Sequence, residues 1–163
     1  MKSFSLAIVG ATGVVGRKFL DVLSEKDYPI TKLVLFASSR SAGHSVTFKG
    51  KDYEVLELNE ENILKNKVDY ALFSAGGTTS LNFAPIFAKE KTVVIDNSSA
   101  WRMDPSVPLV VPEVNPEDAF KHHFIIANPN CSTIQAVVAL KPLHDRFELE
   151  RVVVSTYQAV SGA

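Results

Sequence analysis

The single cysteine of this 163-residue chain, Cys131, stands in the run Asn128-Pro129-Asn130-Cys131-Ser132-Thr133-Ile134-Gln135. Apolar residues 124–127 precede it and read as a strand; an amphipathic stretch, residues 134–144, follows and reads as a helix. The thiol is thereby expected on a tight turn at a helix N-terminus. Unpaired backbone N–H groups and the positive end of the macrodipole favour an anion there. The thiolate is the nucleophilic form of cysteine, so this setting suits covalent catalysis. Most free cysteines are instead small buried hydrophobes, and position alone leaves that reading open.

A second chemistry is written at the start of the chain. Residues 4–9 form a short apolar run suited to a strand buried on both faces. Gly10-Ala11-Thr12-Gly13-Val14-Val15-Gly16 follows, then a helical stretch in which Val15, Phe19, Val22 and Leu23 share one face. Strand, glycine turn and helix make the phosphate-cradling opening of a Rossmann unit. The spacing is G-x-x-G-x-x-G rather than the common G-x-G-x-x-G, and a glycine turn without a ligand is the competing reading. Residues 32–37 read as the next strand, whose end meets the adenosine ribose in such folds. No acidic residue lies between Asp27 and Asp52. Ser38, Ser39, Arg40 and Ser41 offer hydroxyls and a guanidinium, which suits a 2′-phosphate and hence NADP over NAD. An ordinary solvated arginine is the alternative.

Other elements are needed to position these groups. Residues 46–48 and 53–58 read as a hairpin turning at Lys49-Gly50-Lys51. Residues 59–64 suit a short helix capped by Asn59, with Glu60 and Glu61 as helix-start charges. Residues 69–74 read as a strand that runs into Ala75-Gly76-Gly77-Thr78-Thr79-Ser80, small residues that let a backbone approach a ligand, with Ser74, Ala75 and Gly76 nearest the cofactor; a plain turn fits nearly as well. Thr79 or Ser80 is the expected cap of a helix over 81–89. Residues 92–95 form another buried strand, and it runs into a polar loop where Arg102 could hold an anionic substrate or merely close a turn. Residues 109–116 are too proline-rich for a central strand and suit an edge or connection, with Asn115 capping a short helix begun by Pro116. Residues 151–156 read as a strong β-branched strand. The fold class is α/β, a doubly wound, mostly parallel sheet with helices on both faces.

Composition bounds the partners. With 46% apolar and 21% charged residues and a net charge of −1, nothing points to nucleic acid or an anionic membrane. One cysteine forms no internal disulfide, so a reducing cytoplasm is the expected compartment. No stretch approaches the roughly 18 apolar residues of a membrane span. The adjacent His122 and His123 point apart, and no His/Cys/Asp spacing resembles a zinc site, so no metal is expected.

GATGVVG (10–16), SSAWR (98–102), PLVVPEVN (108–115), NPNCSTIQ (128–135) and STYQAVSGA (155–163) together closely resemble aspartate-semialdehyde dehydrogenase, over all 163 residues. The related N-acetyl-glutamyl-phosphate reductases share the plan but favour other residues around the cysteine. A nucleotide-binding module without chemistry is the remaining alternative. The resemblance implies reversible, NADPH-dependent reductive dephosphorylation of β-aspartyl phosphate to aspartate β-semialdehyde, feeding lysine, threonine, methionine and diaminopimelate synthesis.

On that resemblance Cys131 is the nucleophile, Asn130 positions substrate, Gln158 orients the bound intermediate and Arg102 holds the phosphoryl group. Thr12, Gly13, Val14 and Val15 line the pyrophosphate, Ser38 and Arg40 meet the 2′-phosphate, and N–H groups at the start of the cysteine helix serve as oxyanion donors. The family is homo-oligomeric, dimer or tetramer. It also has a second domain that supplies an acid/base histidine and grips the substrate, and a returning helix that completes the first domain. His44, His122, His123 and His144 fall outside the family's histidine positions. Residues 1–163 are therefore expected to be the NADP-binding half alone, with near-zero turnover, an exposed apolar surface and a tendency to self-associate.

Overall fold

Buried on both faces, β1 (Phe4–Val9) is the strand around which a seven-stranded sheet is laid out. The computed structural model describes residues 2–157. It contains β2 (Ile30–Ala37), β3 (Ser45–Phe48), β4 (Lys51–Glu57), β5 (Tyr70–Phe73), β6 (Val93–Asp96) and β7 (Ile125–Ala127). The order is β3-β4-β2-β1-β5-β6-β7, parallel except for the β3–β4 hairpin. Helices α1 (Val14–Glu25), α2 (Glu60–Lys65), α3 (Gly77–Lys89) and α4 (Cys131–Phe147) complete the expected doubly wound, Rossmann-like arrangement. The chain winds outward from β1 to β2 and β4, then resumes at β5 on the other side. The switch between β1 and β5 opens the crevice where such sheets bind ligands.

Alternation along the strands sorts the core into two. Ala7 and Val9 join Phe36, Phe73 and Val94 on one face, closed by Ile63 of α2 and by Ala84 and Phe87 of α3. Leu6 and Ile8 join Leu33, Leu35 and Val55 on the other, closed by Leu20 of α1 and Phe48 of the hairpin. This second face is only partly covered. Phe4, Leu6, Leu72 and Ile95 of the sheet and the α1 stripe Val15, Phe19, Val22 and Leu23 line an open groove of about 730 Å³.

Local chemistry accounts for several boundaries. Asn59 caps α2, its side chain accepting from Asn62 N at 2.8 Å. The hairpin turns on Lys49 and Gly50 alone, with φ of 47° and 75°, the left-handed pair that matches strand twist; Lys51 already belongs to β4. Leu109 makes a single parallel bridge to Ala127, so the proline-rich segment lies at the sheet edge.

Other expectations are corrected. α3 begins at Gly77, and neither Thr79 nor Ser80 caps it; Gly76 takes the N-cap position with φ 86°. The cause is tertiary: Ser80, Ala84 and Phe87 bury one helical face, which draws the helix back through residues of weak propensity. α4 likewise begins at Cys131, ahead of the expected 134. Asn115 precedes a 3-10 helix, Pro116–Lys121, but does not cap it. Its Oδ1 instead accepts from Val111 N at 2.8 Å, and its Nδ2 donates to Leu109 O at 3.0 Å. Residues 151–156 form no strand, and Val153 is 86% exposed. β-propensity expresses fit to a half-buried pleated surface, and these residues pair with no described strand and stay exposed. No helix of the described residues is long and apolar enough to cross a membrane.

Candidate active site

The carboxyl ends of β1, β2, β4 and β5 open onto a cavity of about 480 Å³, within the range of cofactor sites. Of the expected cofactor-binding residues, Gly10, Thr12, Gly13, Ser38, Ser39, Ser74 and Ala75 line it. The others do not. Val14 is 84% exposed, Val15 lines the apolar groove instead, Arg40 is exposed, and Gly76 holds the N-cap of α3. Gly16 is buried, and a Cβ there would lie 2.1 Å from Gly10 O. At Gly10 (φ 88°) a Cβ would lie 2.3 Å from Ser74 O. The glycines thus press the start of α1 and the loop after β5 onto the turn, at distances no side chain permits.

Two helix N-termini end beside this cavity. Neither α1 nor α3 has a side-chain cap, and neither carries an acidic residue in its first turn. Their orphan N–H groups and positive dipole ends remain available to an anion. Thr12 and Gly13 before α1 and Thr79 in the first turn of α3 line the same cavity. This donor set fits a dinucleotide pyrophosphate.

Cys131 is the first residue of α4 and is exposed. It lies on the same carboxyl edge, past β7, three strand spacings or roughly 14 Å from β1. Asn130 caps α4, its Oδ1 accepting from Ser132 N at 3.0 Å. The turn is tied to the loop after β6 by Asn128 Nδ2 donating to Asn97 Oδ1 at 2.7 Å. Arg102 locks the same junction, with Nε to Asn128 O at 2.9 Å and an Nη2 bond to Asn97 O at 3.1 Å. Among the described residues no carboxylate pairs with it. Trp101 Nε1 donates to the buried Ser80 Oγ at 2.8 Å, joining this loop to α3. Gln158 lies outside the described residues. Among the described residues no group of three or more His, Cys, Asp or Glu is gathered.

A family model for the NAD-binding domain of semialdehyde dehydrogenases matches residues 5–122. The chain belongs to this family. An aspartate-semialdehyde dehydrogenase of Aquifex aeolicus is 67% identical over 162 residues, 98% of this chain and 47% of that protein. The crystal structure of aspartate semialdehyde dehydrogenase II from Vibrio cholerae, complexed with ASA, superposes with a TM-score of 0.82 at 49% identity, covering 88% of this chain and 47% of that one. The Candida albicans enzyme, solved with NADP, gives a TM-score of 0.76 at 30% identity, with coverages of 90% and 48%. This semialdehyde dehydrogenase chain therefore spans about half the length of the relatives it matches.

The cavity also takes in residues that reading the sequence passed over. Glu57 and Leu58, at the end of β4, and Phe83 of α3 line it, and Asn97 and Asn128 brace the cysteine turn. Glu57 carried no signal along the chain. It ends a strand that runs parallel to β2 and pairs with Ala37, so only the strand pairing puts it on the same edge as Ser38.

Proposed function

We propose that this semialdehyde dehydrogenase domain binds NADP and presents Cys131 as nucleophile in the reversible reductive dephosphorylation of β-aspartyl phosphate to aspartate β-semialdehyde. What carries the reading is the shared sheet edge. Two helix N-termini free of caps and acids flank one cavity, and an exposed thiol opens α4 along the same edge. Gly10, Thr12, Gly13 and the first-turn N–H groups of α1, from Val14, Val15 and Gly16, would hold the pyrophosphate. Ser38, Ser39 and Arg40 would meet the 2′-phosphate, and Ser74, Ala75 and Gly76 would flank the dinucleotide. When bound, the nicotinamide supplies hydride in one direction and accepts it in the other.

The chain's own residues do the rest. Cys131 Sγ attacks the acyl carbon; a C–S bond forms, the C–O bond to phosphate breaks and phosphate leaves. Two-electron reduction turns that thioester into a thiohemiacetal, whose C–S bond breaks to return the thiolate and release the aldehyde. Ser132 N is engaged by Asn130, which leaves the N–H groups of Cys131 and Thr133 as oxyanion donors. Arg102, bound only to neutral carbonyls, keeps its charge for the phosphoryl group. Asn130 positions substrate and Gln158 orients the intermediate. The acid/base histidine and the grip on the substrate's carboxylate and amine come, on this reading, from a second domain in a homo-oligomeric enzyme. Such a histidine is worth roughly 10²- to 10⁴-fold in rate, so the 163 residues alone turn over at a near-zero rate.

Iodoacetamide tests the nucleophile directly. Cys131 is expected to alkylate about tenfold or more faster than glutathione at neutral pH, as an exposed nucleophile at a helix N-terminus should. A rate equal to glutathione's refutes the catalytic assignment.

A further inference from the structure

Along the carboxyl edge of the sheet, the glycine turn follows β1, Ser38 and Ser39 follow β2, and Glu57 with Leu58 stands at the end of β4. Each step outward is one strand spacing, about 4.8 Å, and Ala37 is the register partner of Glu57. Phosphate-binding turn, hydroxyl pair, carboxylate: this repeats the order of pyrophosphate, ribose and base in an adenine dinucleotide. Leu58, Phe83 and Ala75 pack against the core from this cavity and give it apolar walls suited to the faces of a planar ring.

Glu57 adds an acceptor at the rim. An ionised carboxylate accepts and cannot donate, so it has nothing to offer a phosphate and requires a donor opposite. Its Oε2 receives one long hydrogen bond, 3.4 Å from Asn59 Nδ2, and its backbone carbonyl receives Asn62 Nδ2 at 2.9 Å. The strand end is therefore held while the carboxylate retains open acceptor positions.

We infer that Glu57 reads the base: its carboxylate accepts a hydrogen bond from the exocyclic 6-amino group of adenine and selects adenine dinucleotides over their hypoxanthine counterparts. Hypoxanthine carries a carbonyl at that position, which would set acceptor against acceptor. The inference rests on the nucleotide-site reading above and specifies which group of the ligand this residue meets. Glu57 is exposed, so its truncation leaves both core faces intact.

The test is calorimetric titration of the full chain with NADPH and with its hypoxanthine analogue. Wild type is expected to bind NADPH about tenfold more tightly, as befits one hydrogen bond to a charged acceptor. In Glu57→Ala the two dissociation constants should agree within about twofold, with most of the change on the NADPH side. Two results overturn the role of Glu57 alone: NADPH binding without base discrimination in wild type, or discrimination that survives in Glu57→Ala. Failure of wild type to bind either dinucleotide overturns the cofactor reading itself and takes this role with it.

Discussion

Arg102 ties two loops together and still carries a charge that no described carboxylate offsets. Among the described residues Arg40 likewise has no ion-pair partner, but it stands exposed beyond Ser38 and Ser39. If it meets a 2′-phosphate, its removal should be felt by only one of two cofactors. NADPH is expected to bind more tightly than NADH, and Arg40→Ala should erase most of that difference while barely changing NADH. Equal dissociation constants in the unsubstituted chain would remove the basis for NADP. Asp69 makes a prediction of another kind. The Ser5 backbone N–H and then the Ser5 hydroxyl, each 2.7 Å from Oδ2, hold its carboxyl below the ordinary value of 3.8. A depressed acid contributes stability above its unfolded value and loses it as pH falls through the folded one. Asp69→Asn should therefore be slightly less stable than wild type at neutral pH. The gap should close as pH drops below 3.8, as urea unfolding at pH 7 and pH 3 would show.

Among the elements, the β1–turn–α1 unit is the most tightly constrained. Gly16→Ala places a Cβ against backbone at 2.1 and 2.8 Å, atoms that cannot swing aside. A loss of about 2–3 kcal/mol is expected, typical of overpacking, with the denaturant midpoint lowered and the slope unchanged. This unit was legible in the sequence because strand, glycines and helix are neighbours along the chain. The cysteine turn was legible for the same reason, although the extra first turn of α4 was not. Glu57 escaped notice because its relation to Ser38 runs through strand pairing rather than sequence distance. The start of α3 was misplaced because burial of Ser80 outweighs the weak propensity of Gly77, Thr78 and Thr79. Residues 151–156 show the converse: a strand-like composition pairs with no strand of the sheet and stays exposed.

On the scale of the whole molecule, the two faces of the sheet are unequal. One is closed by α2 and α3, and the other leaves an apolar groove beside α1. A trough of that size lined by Phe19, Val22, Leu72 and Ile95 favours association. Sedimentation velocity is expected to show the chain associating as its concentration rises. Val22→Glu, at a partly exposed position on the groove wall, should weaken that association about fivefold. A monomer at every concentration would show that the groove is inert. The tryptophan offers a different consequence. Trp101 is the only indole in the chain, and its ring nitrogen is fastened to Ser80, next to the Thr79 that lines the cavity at the carboxyl edge of the sheet. Its ultraviolet emission overlaps the absorption band of a reduced nicotinamide, so a dinucleotide held in that cavity would quench it and report its own occupancy, with no label attached.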